Sequence, residues 1–577
     1  MNQRFSKLII GLNKGGVILL LALSIAGIVF PVFLFRYGEN LSLIRYFEMH
    51  HTVMRLSGFL ILLVSWKLYK RVSVAWSIVM ILLSLRIFQY LMIHRSDLWN
   101  PLFLAEVFCY FILLLSRNYY VRKTDRYSLK RGILIYLLFT VFIFFNAALA
   151  LFREKGAVSF LRCMEGTLGI LFDLNNLAPS AYTPHSAYYS FLFWFSWICI
   201  FAGLIAVLTP YVSIKAQAQG DMERARRLVN LYGQNCSSYL ALEKDKSYLF
   251  GRAVHGVAAY GIVSDIFVVL GDPVCDPDDF RTFLSEIKNH CERNAYSLLL
   301  LNTTGMFLDQ YEKMGLGYVK CGEEPRFFLP EYTIAGSAAS KVRLNINHAT
   351  KEGITVKEYD PRKKKNSALE KEMFEVSKEW FSMKKSGELV FTMGGIGLDH
   401  PLDRRYFYGE GPDGRIQAFV VFLPFAGGNG YVADVTRYRS GAVRGVLEKI
   451  NYEAMMNFKA EGIQWASLAA APLARLEEET DVTAKLLRII YEKMNGVYGF
   501  KALYQAKQKY NPSCWEPNYY VFYPPIFTPA MAYAIVRIQN PLGVRDFAKS
   551  FFSNSERGKK KKNEQMEGAN GTNRRNE

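Results

Sequence analysis

The sequence predicts a multi-span α-helical membrane domain followed by an α/β region made of two tandem copies of one small mixed domain. Three observations carry this. The first ~215 residues are dominated by apolar and aromatic runs, whereas the remainder alternates strand and helix patterns. The tetrapeptide YEKM recurs at 311–314 and 491–494, at the same point of that alternation. A chain of 577 residues also exceeds what one hydrophobic core holds. The expected organisation is 1–215 for the membrane domain, 225–350 and 351–535 for the two α/β copies, and 553–577 for a disordered basic tail.

Six segments are long and apolar enough to cross ~30 Å of hydrocarbon: 16–35, 50–69, 72–93, 99–116, 131–152 and 188–212. Trp66, Tyr69, Tyr119 and Tyr120 lie near their ends, where interfacial aromatics belong. Loop charge sets the orientation. Arg4, Lys7 and Lys14, then Lys67, Lys70 and Arg71, then the basic 117–131 connection, then Lys215, Arg224, Arg226 and Arg227 all fall on one side if the spans alternate. The positive-inside rule makes that side cytoplasmic, and with it the N-terminus and the α/β region. Charge within a span is costly and is a functional hint. Arg55 is near enough to a span end to snorkel, while Arg86 and Glu106 either pair across adjacent spans or line a polar cavity. The loop 153–187 is expected as a partly ordered outer cap or a re-entrant piece.

In the α/β region, "GIVSDIFVVLGDPV" (261–274) reads as a strand and 277–294 as a helix with acidic residues in its first turn. A strand at 296–303 and a helix closing on "YEKMGLGYVK" (311–320) follow. The plan then repeats. "RIQAFVVFLPF" and "GYVADVTRY" are strands, 440–462 a helix, "IQWASLAAAP" a strand, and a further helix closes on "YEKMNGVYGFK" (491–501) before a Gly/Tyr-rich strand entry. A basic helix within 337–356 links the copies, and "GPDGR" (411–415) is a β-turn without the glycine spacing of a phosphate loop. The segment 527–552 is either a surface-lying amphipathic helix or a final packed one.

The formal net charge of +19 points to an anionic partner, nucleic acid or acidic lipid. Eight cysteines without a CxxC pair and eight histidines without an HExxH pattern argue against a structural metal site or a disulfide framework. The strand "YVADVTRYRS" (431–440) ends in Asp434, Arg437 and Arg439 just before a helix. By itself this is a salt-bridged surface turn or a polar site, and the local residues do not choose.

A helix closing on Tyr, then Gly-Tyr or Gly-Phe before a last strand, resembles acyltransferases of the GNAT type, and two in tandem resemble the Fem-type transferases that use aminoacyl-tRNA. The ordered set "LGDPV" (270–274), "YEKMGLGYVKCGEEPRFFL" (311–329), "KVRLNINHATKEG" (341–353), "WFSMKKSGELVFTMGGI" (380–396), "DVTRY" (434–438) and "AKQKYNPSCWEPNYYV" (506–521) resembles the bacterial phosphatidylglycerol lysyltransferases, or multiple peptide resistance factors. The resemblance covers roughly residues 200–530, the synthase portion without the additional spans that form a flippase in longer members.

It implies a bacterial inner-membrane enzyme that moves an amino acid, usually lysine, from aminoacyl-tRNA to phosphatidylglycerol with no further cofactor. The cationic lipid so made confers resistance to cationic peptides. Asp434 and Arg437 match the family's Asp-x-x-Arg motif, and Lys509–Tyr510 its second basic element; Glu388, Arg343 and Arg439 match substrate-binding positions loosely. An Asp would orient or deprotonate the attacking hydroxyl, and Arg and Lys would hold phosphate or an oxyanion. Another lipid or a cell-wall peptide as acceptor, a non-catalytic sensor or transporter, and a homo-oligomer all stay open at this level.

Overall fold

Thirteen strands of the α/β region form one mixed sheet in the computed structural model, which describes residues 15–25, 51–69, 71–93, 99–120, 219–383, 390–472 and 500–539 besides isolated positions. The chain divides into two compact units, Met1–Tyr211 with Arg293–Ala295, and Val212–Glu292 with Tyr296–Glu577.

The first unit contains α1 (His51–Tyr69), α2 (Ser73–Ile93) and α3 (Pro101–Leu115). Asn100 starts α3 by accepting from the Leu102 N–H at 3.0 Å, with Pro101 in the first helical position, where its missing N–H costs nothing. Val64, Leu68, Val79, Leu83, Cys109 and Leu113 pack together inside. The buried side chains of Arg86 and Glu106 form an ion pair between α2 and α3, the first of the two alternatives left open above. Tyr90 stacks on Phe103 at 4.2 Å beside it. The outward faces are apolar: Ile81, Leu85, Phe88, Phe108 and Phe111 are all more than half exposed. Among the described residues one helix, Ser73–Met92, is long and apolar enough to cross a membrane, and Gly15–Ile25, Leu60–Tyr69 and Pro101–Leu115 are shorter apolar helices. The expected spans at 131–152 and 188–212, the cap 153–187 and the tail 553–577 lie outside the described residues, a few isolated positions aside.

In the second unit α4 (Gln219–Tyr232) precedes β1 (Ser247–Phe250), β2 (Gly256–Val263) and β3 (Ile266–Leu270), an antiparallel set. The stretch expected as one strand from 261 to 274 is therefore a hairpin with a further short strand, β4 (Val274–Cys275). Its polar pair Ser264–Asp265 makes the turn, with Ser264 at φ 57°, so the apolar run folds back on itself. Asp276 caps the next helical turn by accepting from the Asp278 N–H, and α5 (Phe280–Arg293) carries the chain to β5 (Ser297–Thr303), parallel to β3. Then come α6 (Leu308–Lys313), which holds the first YEKM, and β6 (Gly317–Phe328).

The order repeats after α7 (Ser340–Lys351). Strands β7 (Thr355–Tyr359), β8 (Arg405–Glu410), β9 (Ile416–Phe425) and β10 (Gly430–Tyr438) are antiparallel, with α8 (Ser367–Ser382) between β7 and β8. Next is α9 (Val446–Ala460), which starts later than the expected residue 440 because Gly445 sits at φ 91°, where a Cβ would collide with the Asn345 carbonyl, so no side chain fits. Strand β11 (Trp465–Ser467) runs parallel to β10. The expected strand 463–472 is broken at Ala469, φ 62°, before the short β12 (Ala471–Pro472). The second YEKM lies outside the described residues, and Gly-Phe at 499–500 leads into a helix, α10 (Phe500–Gln508), not a strand. The described residues end with β13 (Cys514–Tyr523) and α11 (Pro529–Gln539), whose Met531, Ala534 and Ile535 are buried against the sheet, so 529–539 is a packed helix, and 540–552 lies outside the described residues.

The sheet order is β1-β2-β3-β5-β13-β6-β11-β10-β9-β8-β7. The last strand of each half pairs with the parallel strand of the other half: β13 with β5, and β6 with β11, all antiparallel. The two exchanged strands pair with each other from Cys514↔Arg326 to Phe522↔Gly317. Alternate residues then reach opposite faces. In β9, Val420 and Phe422 meet α9 residues Ile450, Ala454 and Phe458, whereas Phe419 and Val421 meet Met373 and Val376 of α8.

Each half alone would leave its own parallel strand, β5 or β11, as an open edge, because the strand that covers it comes from the other half. Residues 219–352 and 353–539 produced separately are expected to aggregate, and their co-expression to yield a soluble complex; size-exclusion chromatography of the three preparations checks this.

Candidate active site

Strand β10 pairs with its parallel neighbour only from Gly430↔Trp465 to Val432↔Ser467. Beyond Val432 the two strands part, and two residues later the β10–β9 ladder slips: Ala433 opposes Phe422 and Val435 opposes Val421, which leaves Asp434 as the extra residue of a β-bulge. A bulge re-aims the side chain it carries. The Asp434 carboxylate accepts from the Gly394 N–H at 2.9 Å. Burial first and the neighbouring Glu243 carboxylate second push its pKa up to about 7, against the opposing pull of the Gly394 N–H, Arg404 and Arg437.

Arg437 lies on the same face, three residues along the strand and 2% exposed. Its guanidinium stacks 4.1 Å from the Trp380 ring and 4.9 Å from Phe381, both at the end of α8, and donates to the Thr436 carbonyl at 3.1 Å. Stacking fixes the plane of the cation. Glu243 is held from the other side by Arg404, whose Nη2 donates at 2.6 Å, and Arg404 is itself anchored to the His400 and Pro401 carbonyls. Lys246, fully buried, pairs with Asp245 at 2.5 Å and lies within the field of Glu243 and Asp434; burial lowers its pKa. The arrangement is a carboxyl group near neutrality, a fixed guanidinium and a second carboxylate, at the place where two parallel strands diverge.

The structure thus brings Asp434 and Arg437 together and does not bring the other expected residues to them. Lys509 donates to Glu448 of α9 at 2.5 Å, and Tyr510 is buried with its hydroxyl accepting from Asn451 at 3.2 Å and its ring edge-on to Phe327. Both belong to the α9 face of the sheet, opposite Asp434. Arg439 is occupied with the Ile416 carbonyl at 2.7 Å, Glu372 at 3.1 Å and Glu379 at 3.2 Å, a clamp that fastens α8 to the end of β10. Arg343 donates to the Ile334 and Gly336 carbonyls, both at 2.5 Å, and so ties α7 to the loop before it. Glu388 lies outside the described residues.

Glu243, Lys246, Arg404, Gly394 and the Trp380–Phe381 pair are site residues that pattern reading missed. Only the 380–396 segment gave a signal, as a block. Lys507 was also missed: it is buried, donates to the Ala469 and Ala470 carbonyls at 2.9 and 2.8 Å, and is lowered by burial to about 7.

The first half has a corresponding place. Strands β3 and β5 last pair at Leu270↔Leu301, and two residues later stands Asp272. Here the carboxylate is saturated by the Thr304 N–H and hydroxyl, both at 2.9 Å, the Tyr311 hydroxyl at 3.0 Å and the Asn235 amide at 3.2 Å. A cavity of about 480 Å³ opens beside it, with Tyr232, Phe425, Trp465, Arg326 and Glu516 in its walls.

The family described as "Phosphatidylglycerol lysyltransferase, C-terminal" matches residues 226–522. Phosphatidylglycerol lysyltransferase of Bacillus subtilis (strain 168) is 24% identical over 415 residues, 71% of this chain and 46% of the relative. That of Staphylococcus aureus (strain COL) is 23% identical over 416 residues, 71% of this chain and 47% of the relative. The chain spans about half the length of these curated relatives. Among solved structures, that titled L-PGS from Bacillus licheniformis aligns with 56% of this chain and 98% of its own, at 22% identity and a TM-score of 0.49.

The clamp role of Arg439 predicts that Arg439→Ala lowers the unfolding free energy by about 2 kcal/mol, since charge-assisted hydrogen bonds are lost at a half-buried position. Thermal denaturation reads it; an unchanged melting temperature would assign Arg439 to ligand contact instead.

Proposed function

The chain belongs to the phosphatidylglycerol lysyltransferase C-terminal family, and on that footing we propose that it transfers an aminoacyl group, lysyl by the family's name, from aminoacyl-tRNA to a glycerol hydroxyl of phosphatidylglycerol. The observation that carries this reading is Asp434, a carboxyl raised to about 7 on a bulge beside the stacked Arg437.

In this reading Asp434 takes the proton of the glycerol hydroxyl as its oxygen bonds to the ester carbonyl carbon. The carbonyl carbon–ribose oxygen bond then breaks, and Asp434 returns the proton to the ribose oxygen. A group that must first accept and then give up one proton works best with a pKa near the working pH. The fixed charge of Arg437 suits the developing oxyanion or the lipid phosphodiester. The donor is already an activated ester, so positioning can supply much of the acceleration without a covalent enzyme intermediate.

Two further features support the partners. The formal charge of +19 favours both tRNA phosphates and an anionic leaflet. In the first unit a charged pair is buried inside while large apolar side chains face outward, the arrangement a lipid surround favours. We place the chain in the bacterial inner membrane with its α/β region on the cytoplasmic side.

Thin-layer lipid analysis of a bacterial host expressing the chain is expected to show a new ninhydrin-positive phospholipid, absent with Asp434→Asn at equal protein abundance. No new lipid from the wild type would overturn the reading. In membranes supplied with lysyl-tRNA, Asp434→Asn is expected to slow transfer by roughly 10²- to 10⁴-fold. The wild-type rate should rise with pH through about 7, because the base acts only when ionised and its pKa lies there.

A further inference from the structure

We infer that Glu243 is a positioning residue for Asp434: its carboxylate, anchored by Arg404, is set against Asp434 across Gly394 and tunes the proton transfer that Asp434 performs. This rests on the reading of Asp434 as the base.

The geometry is specific. Glu243 lies just after the 3₁₀ turn Ser238–Leu242, far upstream of β10, and only the packing of that turn on the sheet brings it there. A side-chain carbon at Gly394 would collide with Asp434 Oδ2 and come within 2.8 Å of Glu243 Oε1. Residue 394 therefore has to be glycine for the two acids to share the space.

The two carboxylates differ in what neutralises them. Glu243 accepts from Arg404 at 2.6 Å, and Arg404 is 4% exposed and locked by two carbonyls. Gly397, at φ 69°, leaves room for the Arg404 guanidinium, which a side chain there would strike. Asp434 receives the Gly394 N–H. Two like charges in one desolvated place repel, and since the direct cation sits on Glu243, the repulsion falls on Asp434 and favours its protonated form. The remaining charged groups around Asp434 are Arg437 on its own strand, with Lys246 and Asp245 from the segment before β1; Lys246 is engaged by Asp245. On α8, Glu379 and Glu372 are engaged by Arg439.

Asp272 is the internal comparison. It holds the same place after the last β3–β5 pair, but four donors surround it and no second carboxylate is among its partners. The fold offers two such aspartates, and Glu243 marks the one equipped for proton transfer.

The test is the pH dependence of lysyl transfer by the full chain in membranes, wild type beside Glu243→Gln, which removes the charge and keeps an acceptor for Arg404. Loss of the like charge should move the acid limb down by roughly one pH unit. At pH 6 the variant should then retain about fivefold more of its own plateau rate than the wild type does. An unmoved acid limb at wild-type abundance overturns the inference and leaves the transferase reading intact. Should Glu243→Gln not accumulate, Glu243→Asp, which withdraws the charge by one methylene, should give a smaller shift in the same direction, and no shift overturns the inference. If the wild type makes no aminoacyl lipid, the transferase reading has failed. The inference is then decided by infrared titration of the protonated carboxyl band that Asp434→Asn removes: a lower midpoint in Glu243→Gln supports it, an equal one overturns it.

Discussion

The backbone ladder between β6 and β13 is the constraint on which the α/β region depends. Each of these strands ends one half of the region and is hydrogen-bonded into the other half, so neither half has a complete sheet without its partner. The exchange also leaves no open edge at the middle of the sheet, where an unpaired strand would invite aggregation. Side chains seal the join: Arg326 of β6 pairs with Glu324 at 2.9 Å and Glu516 of β13 at 3.1 Å, and Ser467 of β11 donates to Glu324 at 2.9 Å. Such a cluster is stable only because every member is answered by another.

A sheet built this way has two places where parallel strands part, after Leu270 and after Val432. Backbone groups there lose their neighbours, and an acidic side chain follows in each case. The same topology leads to different chemistry because the surroundings differ. Asp272 is absorbed into a hydrogen-bond network that ties the segment after α4, the strand ends and Tyr311 together. Asp434, lifted out of register by a bulge, faces a carboxylate, two arginines and an aromatic pair. One aspartate is saturated by donors and the other stands beside a second carboxylate, and the difference lies in who the neighbours are.

In the first unit the polar logic is inverted relative to the second. Arg86 and Glu106 are buried between helices while large apolar side chains face outward. The charge pair and the Tyr90–Phe103 stack give α2 and α3 a defined register that apolar contacts alone specify poorly.

Much of the secondary structure was legible in the sequence, because strands and helices announce themselves by local periodicity and by Gly, Pro and Asp at their ends. The doubled β-α-β-α order, the strand that carries Asp434 and the helix of 340–351 follow from local pattern, whereas charge alone left the pairing of Arg86 with Glu106 as one of two alternatives. Local pattern fails where one apolar run hides a turn, as at Ser264–Asp265, or where a glycine delays a helix, as at Gly445. Site composition was beyond it for a different reason. Whether a charged residue is available depends on which partner reaches it through space. Only the tertiary structure turned Arg439 into a clamp, put Lys509 and Tyr510 on the opposite face, and set Glu243 beside Asp434. Chain order determined which chemical groups this protein carries; the packing of one turn and one bulge on an exchanged sheet decided which of them meet.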